Sequence, residues 1–365
     1  MGGRVVLDGK EWICSDHVVI GNDLYFVAGI DLIKVNMMSW EAHYISDVKN
    51  RDWIKENGVG FIIAIDETIF LISWSSLSIA MYDVDTHIIQ PIYEEKDDTT
   101  NIFNIEVWNK YIYLFLRKKD EIIVIDKEGK ITKYPFVLKE DKMVMSSCRV
   151  EDEIWFIPKE GKKYYRFSLE KKSFLTDELP FELKKCIDIS IYNDQVFILD
   201  GNNIRVWNRE DVYNTVKIKD MVIDERMFGM LIPLKNKIYI LPKIGEDILE
   251  VSYDGLLRKY QEYPEGYAYT QPNSWLDIGA KYFSYESKDG IYYFPRRATN
   301  YMLSIDSQTE NINWVAIKEP GNKESMIYKL ESQGIVKERH GYLSVFLDGI
   351  LTNSMMREGK ENINL

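Results

Sequence analysis

Short apolar runs, each preceded by a polar turn pair, recur along most of the chain. The most apolar of them are LYFV (24–27), IFLI (69–72), IYLF (112–115), IWFI (154–157), VFIL (196–199), IYIL (238–241) and IYYF (291–294). Their starts fall about 42–45 residues apart, except for a longer last interval, and such regularity marks a repeat architecture. Turn-type residues stand just ahead of most copies, as in GND (21–23), WNK (108–110), VED (150–152), YND (192–194), LKN (234–236) and SKDG (287–290), so each copy opens as a hairpin. A further strand follows each one, for example IAMYDV (79–84), EIIVID (121–126), NIRVWN (203–208) and YMLSID (301–306). Another comes after a polar turn. In IDKEGKITKY (125–134) and VSYDGLLRKY (251–260), Gly129 and Gly255 occupy the same turn position, where a positive φ is needed.

The apolar stretch ahead of each hairpin, as in GFIIAI (60–65), CIDISI (186–191) and GMLIPL (229–234), brings the repeat to four short strands, the pattern of a propeller blade. One four-stranded meander has two faces to bury and cannot bury them alone. Blades in a ring cover each other, which accounts for strands that are apolar nearly throughout. A solenoid of stacked sheets is the alternative, but its repeats are commonly shorter. The expected fold is therefore all-β: a single β-propeller of seven blades over residues 12–317, or of six or eight if an end copy is incomplete. Residues 1–11 contain RVVLD (4–8), expected to pair with the edge of the last blade and close the circle. In the extension 318–365, Met326, Ile327 and Leu330 at helical spacing, with Gly334 as a stop, predict a short helix. GYLSVFLDGIL (341–351) fits strand or helix, and the tail REGKENINL is expected to fray.

Composition agrees with a strand-rich globular chain: of 365 residues, 45% are hydrophobic and 13% aromatic, with 24 Tyr. Lys and Arg number 46 against 58 Asp and Glu, a net charge of −12, which disfavours a nucleic-acid partner. The run GFIIAIDETIFLISW (60–74) is interrupted by Asp66 and Glu67 and is too short for a membrane span. MGGRVVLDGKEWICSD carries no secretory h-region, and Val6 breaks the myristoylation pattern, so a cytoplasmic chain is expected unless a leader has been removed. Cys14, Cys148 and Cys186 are widely spaced and odd in number, which suits buried thiols in a reducing compartment.

AMYDVDTHII (80–89) and YMLSIDSQTENINWVAI (301–317) carry a Tyr-Asp-like strand ending, a turn and a Trp-bearing strand. In this the repeats resemble kelch-type propellers over residues 12–317. The Gly-Gly doublet that usually ends the kelch core strand is absent from all seven copies, and the one Gly-Gly pair is Gly2-Gly3. The Gly-His and Trp-Asp signature of WD40 repeats is missing, as is the sialidase Ser-x-Asp-x-Gly-x-Thr-Trp box. The resemblance implies a propeller fold. It does not choose among enzyme, scaffold and binder.

In a propeller the loops from second to third strand, and the connections from each outer strand to the next blade, gather on one face around the channel mouth. The first set reads AGID (28–31), SWSSLS (73–78), RKKD (117–120), PKEGKK (158–163), DGNN (200–203), PKIGE (242–246) and PRRAT (295–299). Arg117, Lys159, Lys243, Arg296 and Arg297 stand there, a basic concentration in an acidic chain. Pro158, Pro242 and Pro295 fix the backbone just ahead of a base. Such a rim suits carboxylate or phosphate groups, although charged loops are also ordinary solvated surface. The longest interval holds EYPEGYAYTQPNSWLDIGA (262–280), whose Tyr267, Tyr269 and Trp275 can stack on a sugar or pack on a neighbouring blade.

Catalytic signals are sparse. His17, His43, His87 and His340 lie outside the mouth loops, and no metal-ligand spacing, phosphate-binding Gly-rich loop or dinucleotide fingerprint occurs, so no metal or cofactor is expected. Asn104, Ser146, Arg149 and Asp188 stand in or beside inner strands. An Asp188–Arg149 pair can transfer protons on a sugar or simply neutralise a wet channel. The expected function is non-catalytic binding of a protein partner, or of an anionic small molecule or glycan, by these basic and aromatic loops. Alternatives are a cytoplasmic carbohydrate-modifying enzyme of mutarotase, epimerase or lyase type, and a structural subunit of a larger assembly. An enzyme requires the polar inner-strand residues to converge on one pocket.

Overall fold

Alternation along the second strands decides how the sheets assemble. In blade one, Leu24 and Phe26 bury their side chains against Met302 and Ile317 of blade seven, while Tyr25 and Val27 bury theirs against Val59, Ile62 and Leu71 of blade two. In blade four, Ile154 and Phe156 join the seam with blade three, and Trp155 and Ile157 join the seam with blade five. Successive side chains of a strand point to opposite faces, so a strand covered on both faces must be apolar at every position. Ile112, Tyr113, Leu114, Phe115 and Leu116 are accordingly all fully buried. Each such side chain contributes about 1.5–3 kcal/mol relative to its exposed state.

The computed structural model describes residues 3–7, 10–28, 31–45, 47–73, 77–95, 102–116, 121–136, 144–210, 213–219, 221–223, 228–242, 247–264, 286–295 and 301–318. These form seven antiparallel sheets whose strands follow chain order, six of four strands and one of five. The hydrophobic clusters lie at the seams: one joins each blade to the next, and the last joins blade seven to blade one. The chain is a closed seven-bladed β-propeller. No helix among the described residues is long and apolar enough to cross a membrane.

The hairpin turns bear out the sequence reading. Asn109 with Lys110, Asn193 with Asp194, and Asp289 with Gly290 all have positive φ, the backbone of a tight primed turn. The far end of every third strand carries a second device: Asn36, Asp83, Asp126, Ser168, Asn208, Ser252 and Asp306 each accept from a backbone N–H in the turn that follows. This is the physical content of the Tyr-Asp-like ending, since a short side-chain acceptor satisfies the turn's donors. Gly129 and Gly255 have φ of 81° and 85°, as the turn alignment requires.

Two features depart from the sequence reading. The N-terminal strand Gly3–Leu7 pairs antiparallel with the inner strand Lys10–Ile20 of its own blade, Leu7 opposite Lys10, and makes blade one five-stranded. Ring closure instead rests on the apolar seam and on Lys318, whose carbonyl accepts from Ala42 N–H and whose N–H donates to Trp40. Between blades one and two a six-residue helix, Asp52–Asn57, buries Trp53 and Ile54 in the seam. It is too short for helical periodicity to show. The expected C-terminal helix lies outside the described residues.

Candidate functional site

Six of the inner strands share one irregularity. A bulge falls between Cys14 and His17, Val59 and Phe61, Ile102 and Asn104, Val144 and Ser146, Cys186 and Asp188, and Phe228 and Met230. By this register Asp16, Phe61, Asn104, Ser146, Asp188 and Met230 stand at one level near the channel mouth. Three of them make the same bond to the next blade. Asp16 Oδ2 accepts from Ile62 N–H at 3.5 Å, Ser146 Oγ from Ile189 N–H at 3.3 Å, and Asp188 Oδ2 from Leu231 N–H at 2.8 Å. Asp188 Oδ1 also accepts from the Ser146 hydroxyl at 2.7 Å, so one carboxylate ties blades four, five and six together.

Arg149 turns the other way. Its Nη1 donates to the Val107 carbonyl at 3.0 Å, and its Nε lies 3.4 Å from Glu106 Oε1 on blade three. The two residues singled out for proton transfer therefore serve separate inter-blade contacts, on blade three for Arg149 and on blade six for Asp188. Glu106, which sequence reasoning passed over, is the perturbed acid here. Burial pushes its carboxyl up to about 7, against the opposing pull of Arg149 and the Val107 N–H. Burial likewise pushes the Cys148 thiol well up, with Asp188 and Glu106 adding to the effect. A thiol so held is a poor nucleophile. Cys148 and Cys186 are both free thiols.

At the mouth, the second-to-third-strand loop of blade four is fully described. Lys159 is half-buried, and its carbonyl accepts from Cys186 N–H at 2.7 Å, which fixes the loop against blade five. Lys162 and Lys163 are exposed beside Gly161, whose φ is 98°. The connection to blade five adds exposed Lys184 and half-buried Lys185. Their N–H groups are both held by Asp200 Oδ1, at 2.9 and 2.7 Å, while Asp200 Oδ2 pairs with Arg205 at 3.3 Å. Five lysines thus share one face of blades four and five, with exposed Glu160 and Glu182 among them. Lys184 and Lys185 belong to the outer connection, whose place on this face the propeller order gives. Arg117, Lys243, Tyr267, Tyr269, Trp275, Arg296 and Arg297 lie outside the described residues.

His17 is buried in the inner strand of blade one, His43 is exposed on its outer strand, and His87 pairs with Asp47 at 2.6 Å on the opposite face. His340 lies outside the described residues. Among the described residues no three His, Cys, Asp or Glu side chains gather as a metal site.

Neither a family model nor a curated protein sequence matches the chain. Solved structures do. Virginiamycin B lyase from Staphylococcus aureus superposes with a TM-score of 0.54 at 12% identity, over 78% of this chain and 92% of that one. Hsv2 from Kluyveromyces lactis gives 0.52 at 9% identity, over 83% and 99%. At such identities the likeness shows the propeller fold alone, and it does not extend to kelch repeats specifically.

Proposed function

We propose that the chain is a non-catalytic binding propeller, taking an anionic group of a ligand or partner protein on the face where the second-to-third-strand loops emerge. The observation that carries this reading is the lysine cluster Lys159, Lys162, Lys163, Lys184 and Lys185 on one face of a chain whose net charge is −12. Segregation of this kind creates a local positive field that overall charge would not suggest. Carboxylate, phosphate and sulfate groups are the matching chemistry. The enzyme reading needs polar channel groups converging on one pocket, and Arg149 and Asp188 have separate partners on blades three and six.

The test is retention on a heparin column, which presents dense anionic groups. Wild-type protein is expected to bind at low salt and elute as the salt concentration rises, because exposed charges are screened. The Lys162→Glu/Lys184→Glu variant is expected to flow through. Wild-type protein that is not retained, or a variant retained equally well, would sink the proposal.

A further inference from the structure

From the opposite face of the same two blades, a cleft of about 550 Å³ runs along the seam between blades four and five. Its floor is aromatic. Trp155 and Tyr164 of blade four and Trp207 of blade five have ring centroids 5.0, 5.6 and 5.9 Å apart, and all three side chains are buried. Its rim is acidic: six carboxylates line it against two guanidinium groups, Arg166 and Arg209.

Those arginines are already engaged. Arg166 lies 3.5 Å from Glu153 and 3.6 Å from Asp177, and Arg209 lies 2.6 Å from Glu151. Among the described residues no cation pairs with Asp152, Glu178 or Glu210, so the rim holds an excess of negative charge.

The neighbouring seam shows what such a corner accepts. Between blades three and four, the turn after the third strand of the following blade again meets the first hairpin turn of the preceding one. There the ammonium of Lys172 sits 4.2 Å from the Tyr113 ring centre, 5.7 Å from Trp108 and 6.0 Å from Tyr111. It also donates to the Leu169 carbonyl and the Tyr113 hydroxyl. That corner is plugged by the chain's own ammonium. The corner between blades four and five has the aromatic floor and surplus carboxylates, and it stays open.

We propose that this cleft is a second binding site, taking a lysine or arginine side chain from a basic segment of a partner polypeptide. Such side chains lay an apolar stem on a hydrophobic surface and keep the charged head at a polar edge. Here the stem meets the Trp155–Tyr164–Trp207 floor and the head meets Asp152, Glu178 and Glu210. Guanidinium, with its fork of donors, is the better match for several carboxylates. The cleft runs up the seam as far as Glu178, which stands across the strand pair from Lys163, but its charge is opposite in sign to the lysine face, so it extends the proposed function without depending on it.

A fluorescein-labelled tetra-arginine peptide, titrated with the full chain at low salt and followed by anisotropy, tests the assignment. Binding is expected for the wild type and at least tenfold weakening for Asp152→Asn/Glu178→Gln/Glu210→Gln. A tetra-glutamate peptide should not compete, and Lys162→Glu/Lys184→Glu should bind tetra-arginine as the wild type does. Among the described residues the three carboxylates make no ion pair, so an unchanged melting temperature will show that the triple variant is intact. Equal affinity in the triple variant, or no wild-type binding, overturns the proposal. So does wild-type self-association in sedimentation that the triple variant abolishes, because the occupant would then be a second copy's lysine face.

Discussion

Glu106 shows how an inner-strand side chain can be mistaken for chemistry or missed altogether. Its carboxyl is held near Arg149 yet pushed up to about 7, so burial outweighs the guanidinium. In the unfolded chain the same group titrates near 4.5. Between these values the folded state holds a proton that the unfolded state has lost, so stability contributed by Glu106 is fully present below the unfolded value and is lost as pH rises toward the folded one. Glu106→Gln keeps the shape and removes the titration. The difference in denaturation midpoint between variant and wild type should therefore slope between pH 4.5 and 7, since every other titrating group is common to both. A flat difference curve would mean that Glu106 stays ionised beside Arg149. Asp188 teaches a related point. An acid in an inner strand suggested proton transfer, but its partners are a serine hydroxyl on one neighbouring blade and a backbone N–H on another, and a backbone donor on the next blade leaves no mark in the sequence.

At the scale of the strand and turn, most of the architecture was legible, because each element obeys a local rule. Middle strands read as unbroken apolar runs since both faces are covered, and third strands end in Asn, Asp or Ser since the turn needs an acceptor. The turn glycines have a second role that local rules do not reveal. A Cβ placed on Gly255 would lie 2.1 Å from the Lys217 carbonyl oxygen of the preceding blade, and one on Gly129 would lie 2.5 Å from Met81 Sδ. Gly21 also has positive φ, but nothing lies within 4 Å of its Cβ position. Gly21→Ala should therefore show backbone strain alone, on the order of 1 kcal/mol. Gly255→Ala should cost clearly more, about 2–4 kcal/mol, because a backbone carbonyl must also move. Chemical denaturation of the two variants side by side measures the difference. Equal losses would show that the blade contact at Gly255 yields freely. The acidic cleft was illegible for the same reason as the Gly255 contact. Trp155 and Trp207 sit in different repeats, and Asp152 and Glu210 come to one cleft only when the turn of one blade stacks on the hairpin of another.

For the molecule as a whole, closure follows from seven seams rather than from a strand exchanged between its ends. With the N-terminal strand committed to the inner edge of blade one, the ring is held shut by the cluster in which Leu24, Phe26, Ile33 and Val35 pack on Met302 and Ile317, extended by Trp40 against Tyr293 at 6.1 Å. This seam joins the chain's most distant described segments, so it is formed at the greatest cost in loop closure. It is also the contact that gives blades one and seven their second neighbour. Every other blade is held on both sides by chain neighbours, whereas opening this seam exposes one whole face of each end blade. Met302→Ala removes a side chain that is 1% exposed, at an expected cost of about 2–5 kcal/mol. Because the faces it uncovers belong to two blades of one ring, the loss should appear as a lower midpoint of a single unfolding transition, seen alike by tryptophan emission and far-ultraviolet dichroism. An early transition confined to one probe, with the main midpoint unchanged, would mean that the end blades open separately and that the closing seam does not support the ring.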